Sequence, residues 1–189
     1  MRFQIFHSSG AIWARSSGVR TSTNTIPLTS SGCSPAKTRA IVALLKAADV
    51  PGPYVLVAHS LSGTTARVFA GEHPDEVKGI VFVDATSPEF RAQMAPEQWK
   101  TFKRIITPPA KDLAANPNVE RPGLDKAHDQ TAAAAALRPM PVVVLTASDK
   151  YVDVLPKGTQ AGQLPPDTPP DFGVVMDRAW SATQNKLAP

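Results

Sequence analysis

Ser60 is the residue whose neighbours in the sequence point most clearly to chemistry. It follows the uninterrupted apolar run Tyr54–Ala58, which is typical of a strand buried on both faces. The stretch from Leu61 to Glu72 has the pattern of a helix, so Ser60 is expected at a tight turn between strand and helix. Such a turn raises the serine hydroxyl above the sheet edge and strains its backbone. The sequence therefore predicts a nucleophilic serine at this turn.

The residues around Ser60 suit that chemistry. Ala58 and Ser62, two positions before and after it, are both small, so the strand and the helix can approach each other. The N-terminus of the helix faces the hydroxyl, and its free N–H groups and dipole can stabilise a developing oxyanion. The backbone N–H of Leu61 is the expected donor.

The elements that must position Ser60 alternate between helix and strand. A helix is predicted to start at Ser34-Pro35, and two further buried strands are predicted at Ile80–Val83 and Pro141–Leu145. This order predicts a parallel sheet with helices on its faces, which is the α/β class. After Leu145 the sequence predicts a loop rich in proline and glycine, and then a last helix from about Val174 to Leu187.

About 55 residues separate the second and third predicted strands. That length exceeds a simple crossover, so the segment is interpreted as an insertion. Helices are predicted within it near Pro96–Ile106 and Asp125–Leu137.

Several of these stretches resemble the α/β-hydrolases. Leu56–Gly63 resembles the strand and nucleophile elbow of that family, whose usual form is G-x-S-x-G; here alanine and serine replace the two glycines. Gly79–Asp84 is similar to the family's next strand, and Met140–Thr146 to the one after it. The resemblance extends from about residue 34 to 187. It implies a mostly parallel sheet, a helical lid at about Pro88–Arg138, and a serine hydrolase of esters or similar acyl substrates.

The resemblance also implies an acid and a histidine that complete a catalytic triad, in chain order serine, acid, histidine. Two acids qualify. Asp149 follows the third strand, the commoner position in the family, although one residue early. Asp84 follows the second strand, a position that some members use. The alternative for either is a solvated or capping carboxylate at the end of a strand.

The catalytic base is harder to assign. The chain has four histidines, and none of them has the position that the family's base would have. The resemblance implies that His59 packs the elbow rather than acting as base. His73 is expected at the exposed end of the helix after Ser60, some 20 Å away at 1.5 Å rise per residue. His128 is interpreted as an exposed lid residue, although a lid could carry it to the active-site mouth. His7 only faintly resembles the histidine of the family's oxyanion loop.

The family's catalytic histidine follows a further strand, whereas this sequence stops at Pro189, and the family's early strands are mostly unreadable before residue 34. We therefore expect an α/β-hydrolase sequence that is short at both ends and lacks a functional triad. Two functions stay open: a serine hydrolase, or an inactive remnant that binds a small apolar ligand or a protein partner. Labelling of Ser60 by a fluorophosphonate would distinguish them.

Composition limits the other possibilities. Apolar residues make up 42% of the chain and charged residues 19%, which suits one packed core. The single cysteine, Cys33, excludes an internal disulfide and a Cys-based zinc site. No apolar run approaches the roughly 20 residues of a membrane span, and no basic stripe with interleaved aromatics suggests nucleic acid. No G-x-G-x-x-G follows a strand, so we expect no nucleotide or other cofactor. The expected ligand is a small acyl compound.

Residues 1–33 are predicted to form an irregular basic head, and residues 34–189 one α/β-hydrolase-like domain. The first 48 residues contain six basic and no acidic side chains, and the head is rich in serine and threonine. Such a composition is also typical of an organelle transit peptide, with an abnormal or misplaced N-terminus as the alternative. The expected location is cytoplasmic unless the head is such a targeting segment.

Overall fold

The computed structural model describes residues 3–6, 12–14, 35–107, 114 and 123–187. Its central feature is one sheet with the strand order β2-β1-β3-β4-β5. Neighbouring strands are parallel except at the β1–β2 pair, which is antiparallel. The strands are β1 (Phe3–Phe6), β2 (Ile12–Ala14), β3 (Tyr54–His59), β4 (Val77–Val83) and β5 (Val142–Leu145). The mostly parallel sheet predicted from the sequence is confirmed.

Helices follow or separate these strands, as the predicted α/β order requires. The described helices are α1 (Pro35–Ala47), α2 (Ser62–Glu72), α3 (Pro88–Ala92), α4 (Pro96–Ile106), α5 (Leu124–Ala133), α6 (Tyr151–Gln160) and α7 (Phe172–Leu187). Three of them, α3 to α5, lie in the insertion between β4 and β5. None of the described helices is long and apolar enough to cross a membrane.

The core lies between the middle of the sheet and the helices on either side of β3. Alternate residues of β3 are buried, and Leu56 and Ala58 are fully enclosed. They pack with Ile80 and Phe82 of β4 and with Phe69 of α2. This burial continues to Ala58 and Phe82, the last residues but one of the two strands, so the core extends close to the edge of the sheet where Ser60 follows β3.

A second apolar cluster joins the insertion to the last helix. Phe90 of α3 is its centre, with ring centroids 5.0 Å from Phe102 and 5.2 Å from Trp180. Trp99 of α4 stacks on Phe102 at 5.3 Å. Leu61, directly after Ser60, packs against the same cluster. The insertion is therefore tied to the residue beside the candidate nucleophile.

Two predictions of local structure need correction. The irregular head contains two strands of the sheet, β1 and β2; its other residues lie outside the described part. The predicted loop after Leu145 contains α6. Asp177 of α7 accepts hydrogen bonds from the N–H groups of Tyr151 (2.8 Å) and Val152 (3.1 Å), the first residues of α6. This cap comes from more than twenty residues away, so the local sequence could not reveal it.

The third predicted strand, β5, is not buried on both faces. Val143 is 47% exposed and Leu145 is 52% exposed, whereas Val142 and Val144 pack against the core. No described strand pairs with the outer edge of β5. Its continuous apolar sequence predicts burial on both faces. That prediction is wrong for the described part of the chain, in which one face is covered.

Candidate active site

Ser60 lies where β3 ends and α2 is about to begin, and its backbone is in the left-handed region with φ of +54°. For a residue other than glycine this conformation costs about 1–2 kcal/mol, so the surroundings must hold it. The N–H of Ser60 donates to the carbonyl of Val83 (3.1 Å). Its carbonyl accepts from the N–H groups of Gly63 and Thr86, both at 3.1 Å. The turn predicted at Ser60 is therefore present and is fixed by hydrogen bonds.

The small residues around Ser60 allow close contacts. Ala58 is fully buried, and the Ser62 hydroxyl donates to the carbonyl of His59 at 2.6 Å. A Cβ atom on Gly63 would lie 2.7 Å from the Cβ of Ala85, which is closer than real side chains approach. Gly63 therefore lets the start of α2 touch the loop that follows β4. Sequence reasoning placed the small residues at 58 and 62 and missed Gly63.

Ser60 is only half-buried, and no described residue hydrogen-bonds its hydroxyl. Likewise, no carbonyl or side chain of the described residues accepts the N–H of Leu61. The first turn of α2 contains no acidic residue that would compete with a bound anion for the N-terminus of the helix. A half-buried hydroxyl can serve nucleophilic attack, and an N–H at a helix N-terminus that no described residue accepts can stabilise an oxyanion.

The two candidate acids have very different surroundings. Asp84 directly follows β4, is half-buried and has a positive φ of 43°. Its N–H donates to the carbonyl of Leu145 (2.8 Å), and its Oδ1 accepts from the N–H of Ala147 (2.7 Å). Asp149 is exposed, and no hydrogen bond or ion pair joins it to another described residue. Asp84 is thus held at the same sheet edge as Ser60, while Asp149 is not held.

No imidazole of the described residues hydrogen-bonds the Ser60 hydroxyl. The ring of His73 lies at the end of α2, where it pairs with Glu76 and packs 4.7 Å from Phe69. His59 precedes Ser60 and is half-buried. His7 lies outside the described residues.

His128 is not the exposed residue predicted from the sequence. It is 1% exposed, and its Nε2 lies 3.1 Å from the Oγ1 of Thr86. The buried face of α5 contains Leu124, Ala127 and Thr131 as well as His128. This is helical spacing, and it could have placed the histidine inside.

The environment of His128 favours a neutral imidazole. Burial is the main cause that lowers its pKa from 6.5 to about 4, and the positive charge of Arg91 adds to this. Asp125, Asp129 and Glu89 act in the opposite direction with less effect. Its Nδ1 has no hydrogen-bond partner among the described residues, so a proton there would have no acceptor.

The loop of residues 84–87, which follows β4, is held from several directions. In addition to the contacts of Asp84 and Thr86, the carbonyl of Ala85 accepts from Nε2 of Gln184 on α7 at 2.9 Å. Ala85, Thr86 and Ser87 are all buried. We refer to this segment as the 84–87 loop. Nothing in its short polar sequence revealed that it would be in contact with Ser60.

Residues 36–108 match a family model described as the alpha/beta hydrolase fold. This match supports an alpha/beta hydrolase fold for that part of the chain. The match confirms the resemblance inferred from the sequence, and it includes Ser60, Asp84 and the 84–87 loop. The match ends at residue 108, so it does not include His128 or Asp149.

Two individual proteins are also similar to this chain. An uncharacterized protein of Schizosaccharomyces pombe (strain 972) is 65% identical over 43 residues, which are 23% of this chain and 8% of that protein. A crystal structure of a four-domain nonribosomal peptide synthetase bound to AMP and glycine aligns with 98% of this chain and 14% of its own, with 17% identity and a TM-score of 0.34. The latter similarity is too low to bear on the fold.

Within the described residues, no group of three or more histidine, cysteine, aspartate or glutamate side chains could hold a metal ion. Around Ser60 the described residues bring together a hydroxyl, the N-terminus of α2 and the carboxylate of Asp84, which follows the adjacent strand β4.

Proposed function

We propose that this protein is a serine hydrolase of esters or related acyl compounds, with Ser60 as the nucleophile. The observation that carries the proposal is the left-handed backbone of Ser60, φ +54°, at the turn from β3 to α2 of an alpha/beta hydrolase fold. A strained residue at such a turn is kept only when the surroundings hold it there. The half-buried hydroxyl supports the same interpretation, as does the Leu61 N–H, which no described residue accepts.

In this mechanism the Ser60 Oγ forms a bond to the acyl carbon while a base takes its proton. The carbonyl oxygen becomes an oxyanion, and the Leu61 N–H at the start of α2 donates to it. The bond from the acyl carbon to the leaving oxygen then breaks, and the base returns the proton to that oxygen. Water cleaves the acyl-serine in the second half. No described histidine is assigned the role of this base.

The triad acid in this proposal is Asp84, with Asp149 as the alternative. Asp84 follows the strand whose Val83 carbonyl binds the Ser60 N–H, so it lies beside the nucleophile at the sheet edge. One of its oxygens binds the Ala147 N–H, and the other is available to orient a histidine. No described residue fixes the Asp149 carboxylate, and a triad acid must be fixed in order to orient the base.

The insertion is proposed to act as a lid over the acyl site. Leu61 packs against the apolar cluster that contains Phe90 and that Trp180 also contacts, so apolar side chains of the insertion and of α7 lie on the side of the nucleophile where Leu61 packs. An apolar acyl group bound at Ser60 would lie against this surface. We therefore propose esters with an apolar acyl part as the substrate class.

A second function, binding without turnover, is favoured by one observation: no described imidazole reaches the Ser60 hydroxyl. A protein of this kind would bind an apolar ligand or a protein partner at the same edge of the sheet. Without a base, only the weak catalysis supplied by oxyanion stabilisation and binding would remain.

A fluorophosphonate probe and an activated ester together test the two functions. We expect the probe to label the folded wild-type protein and a Ser148→Ala control, and not Ser60→Ala. Turnover of p-nitrophenyl acetate that disappears with Ser60→Ala supports the hydrolase. Neither labelling nor turnover of the folded protein supports the binding protein, and labelling that persists in Ser60→Ala rules out Ser60 as the nucleophile.

A further inference from the structure

A chain of contacts leads from the buried His128 to the backbone of Ser60. Nε2 of His128 lies 3.1 Å from the Oγ1 of Thr86, and the N–H of Thr86 donates to the Ser60 carbonyl, also at 3.1 Å. His128 belongs to α5, and Thr86 to the 84–87 loop. The mechanism proposed above uses neither side chain, although both are buried.

The Thr86 hydrogen bond is well placed to control the turn. Among the described residues, three backbone hydrogen bonds hold Ser60, and two of them join it to Val83 of the neighbouring strand β4 and to Gly63 of α2. The third comes from the 84–87 loop. The orientation of this third donor depends on the conformation of the 84–87 loop, because the loop has no regular secondary structure. The loop is fixed at Thr86 by His128, 42 residues further along the chain.

We propose that His128 is a positioning residue for the nucleophile: through the Thr86 side chain it fixes the N–H that holds the strained Ser60 carbonyl. His128 does not touch the substrate. Its role is to keep Ser60 in the left-handed conformation that presents the hydroxyl.

The unpartnered Nδ1 of His128 indicates which proton makes the contact. A proton on Nδ1 would be a buried donor without an acceptor among the described residues, which is rare in proteins. The neutral tautomer with the proton on Nε2 avoids this, so the ring donates to Thr86 Oγ1. The ring is itself oriented by Trp99, whose centroid is 5.5 Å away. A glutamine at 128 can reach the same position with its amide N–H, whereas a leucine cannot donate.

The inference rests on the proposed role of Ser60, so its test has one readout that does not need activity. Hydrogen exchange of the Thr86 amide, measured by NMR on the full chain, reports the opening of the bond to the Ser60 carbonyl. The Tyr54 amide is the internal control, because it is bound by Glu76 at the opposite end of β3. The second readout is the rate of fluorophosphonate labelling per folded molecule.

We expect His128→Leu to accelerate Thr86 exchange about tenfold relative to Tyr54 and to slow labelling by at least about tenfold, as misplacement of a reacting group does. His128→Gln should restore most of both. If His128→Leu does not fold, Thr86→Val and its hydroxyl-retaining partner Thr86→Ser give the same comparison.

Unchanged Thr86 exchange in the leucine or valine variant would overturn the inference. So would equal acceleration at Tyr54 and Thr86, which would indicate a merely structural role. If the wild-type protein is not labelled at all, the proposed function fails, and the exchange of the Thr86 amide still decides the role of His128.

Discussion

The carboxyl ends of β4 and β5 lie side by side in the sheet, yet they are held very differently. After β4, the 84–87 loop is bound by Ser60, His128 of α5, Gln184 of α7 and the end of β5. After β5, Asp149 is exposed with no partner in the described part, and Leu145 is 52% exposed.

This difference indicates where accurate chemistry is possible. A side chain can take part in acyl transfer only if the structure around it fixes its position to a fraction of an ångström. The loop after β4 meets that condition and also contacts the Ser60 backbone. The Asp149 side chain, after β5, has no such contact among the described residues, although the sequence favoured Asp149 as the acid. The predictions below test this contrast, from the largest expected effect to the smallest.

The pH dependence of stability should show how strongly the 84–87 loop region depends on a neutral His128. Because the folded protein holds the pKa at about 4, against 6.5 for an ordinary histidine, the unfolded state takes up the proton first as the pH falls. The contribution of this group to the free energy of unfolding is fully present above pH 6.5. It is lost as the pH falls towards 4, and the loss is roughly 3 kcal/mol. Urea unfolding at pH 7 and pH 4.5 measures the loss.

His128→Gln is the control for that prediction, because it keeps a donor and removes the titration. The difference in unfolding free energy between wild type and this variant should shrink as the pH falls. Parallel pH profiles of the two proteins would mean that His128 is not held neutral by burial.

Gly63→Ala should damage the contact between α2 and the 84–87 loop. The new Cβ would lie 2.7 Å from that of Ala85, so the two segments must separate, at a cost of about 1–3 kcal/mol. Labelling of Ser60 should slow as well. Gly158→Ala in α6 is the matched control, since its Cβ meets only the flexible Leu164 side chain, at 3.3 Å. We expect the control to be neutral or slightly stabilising in thermal unfolding; equal losses in both would remove the contrast between the two regions.

Asp84→Ala should lower the unfolding free energy by about 1–2 kcal/mol. The variant loses the charge-assisted hydrogen bond to the Ala147 N–H and places alanine at a positive φ. Asp149→Ala should stay within about 0.5 kcal/mol of wild type, as exposed substitutions do. Chemical denaturation compares them, and a larger loss at Asp149 would show that the loop after β5 is held by contacts that its exposure does not suggest.

The smallest effect is expected on the open face of β5. Leu145→Thr should change the unfolding free energy by no more than about 0.5 kcal/mol, because the side chain is largely in water. Val144→Thr, one residue earlier and packed against the core, should cost about 1 kcal/mol or more. Equal costs would mean that something covers the outer face of β5 in solution.

The sequence predicted the parts of the fold that depend on neighbours along the chain. The apolar run before Ser60 and the helix after it are local patterns, so the turn was predicted at the right residue. The helix Pro96–Ile106 was predicted with its observed bounds, because prolines and helical spacing mark it.

What the sequence could not show depends on partners far along the chain. The cap of α6 is Asp177, and the partner of Thr86 is His128, 42 residues away. Exposure of β5 depends on which elements cover it, and a run of valines gives no information about that. The choice between the two acids depends on the same kind of information: Asp84 and Asp149 both follow strands, and only the packing shows that Asp84 is held by described residues.

The central claim is that Ser60 is a reactive nucleophile, and the most direct test is to locate a covalent adduct. The folded full-length protein is treated with a fluorophosphonate and digested, and the peptides are sequenced by mass spectrometry. The account predicts one phosphonyl group on the Oγ of Ser60, formed more slowly in Gly63→Ala than in Gly158→Ala. An adduct on another residue, or no adduct on the folded protein, would contradict it.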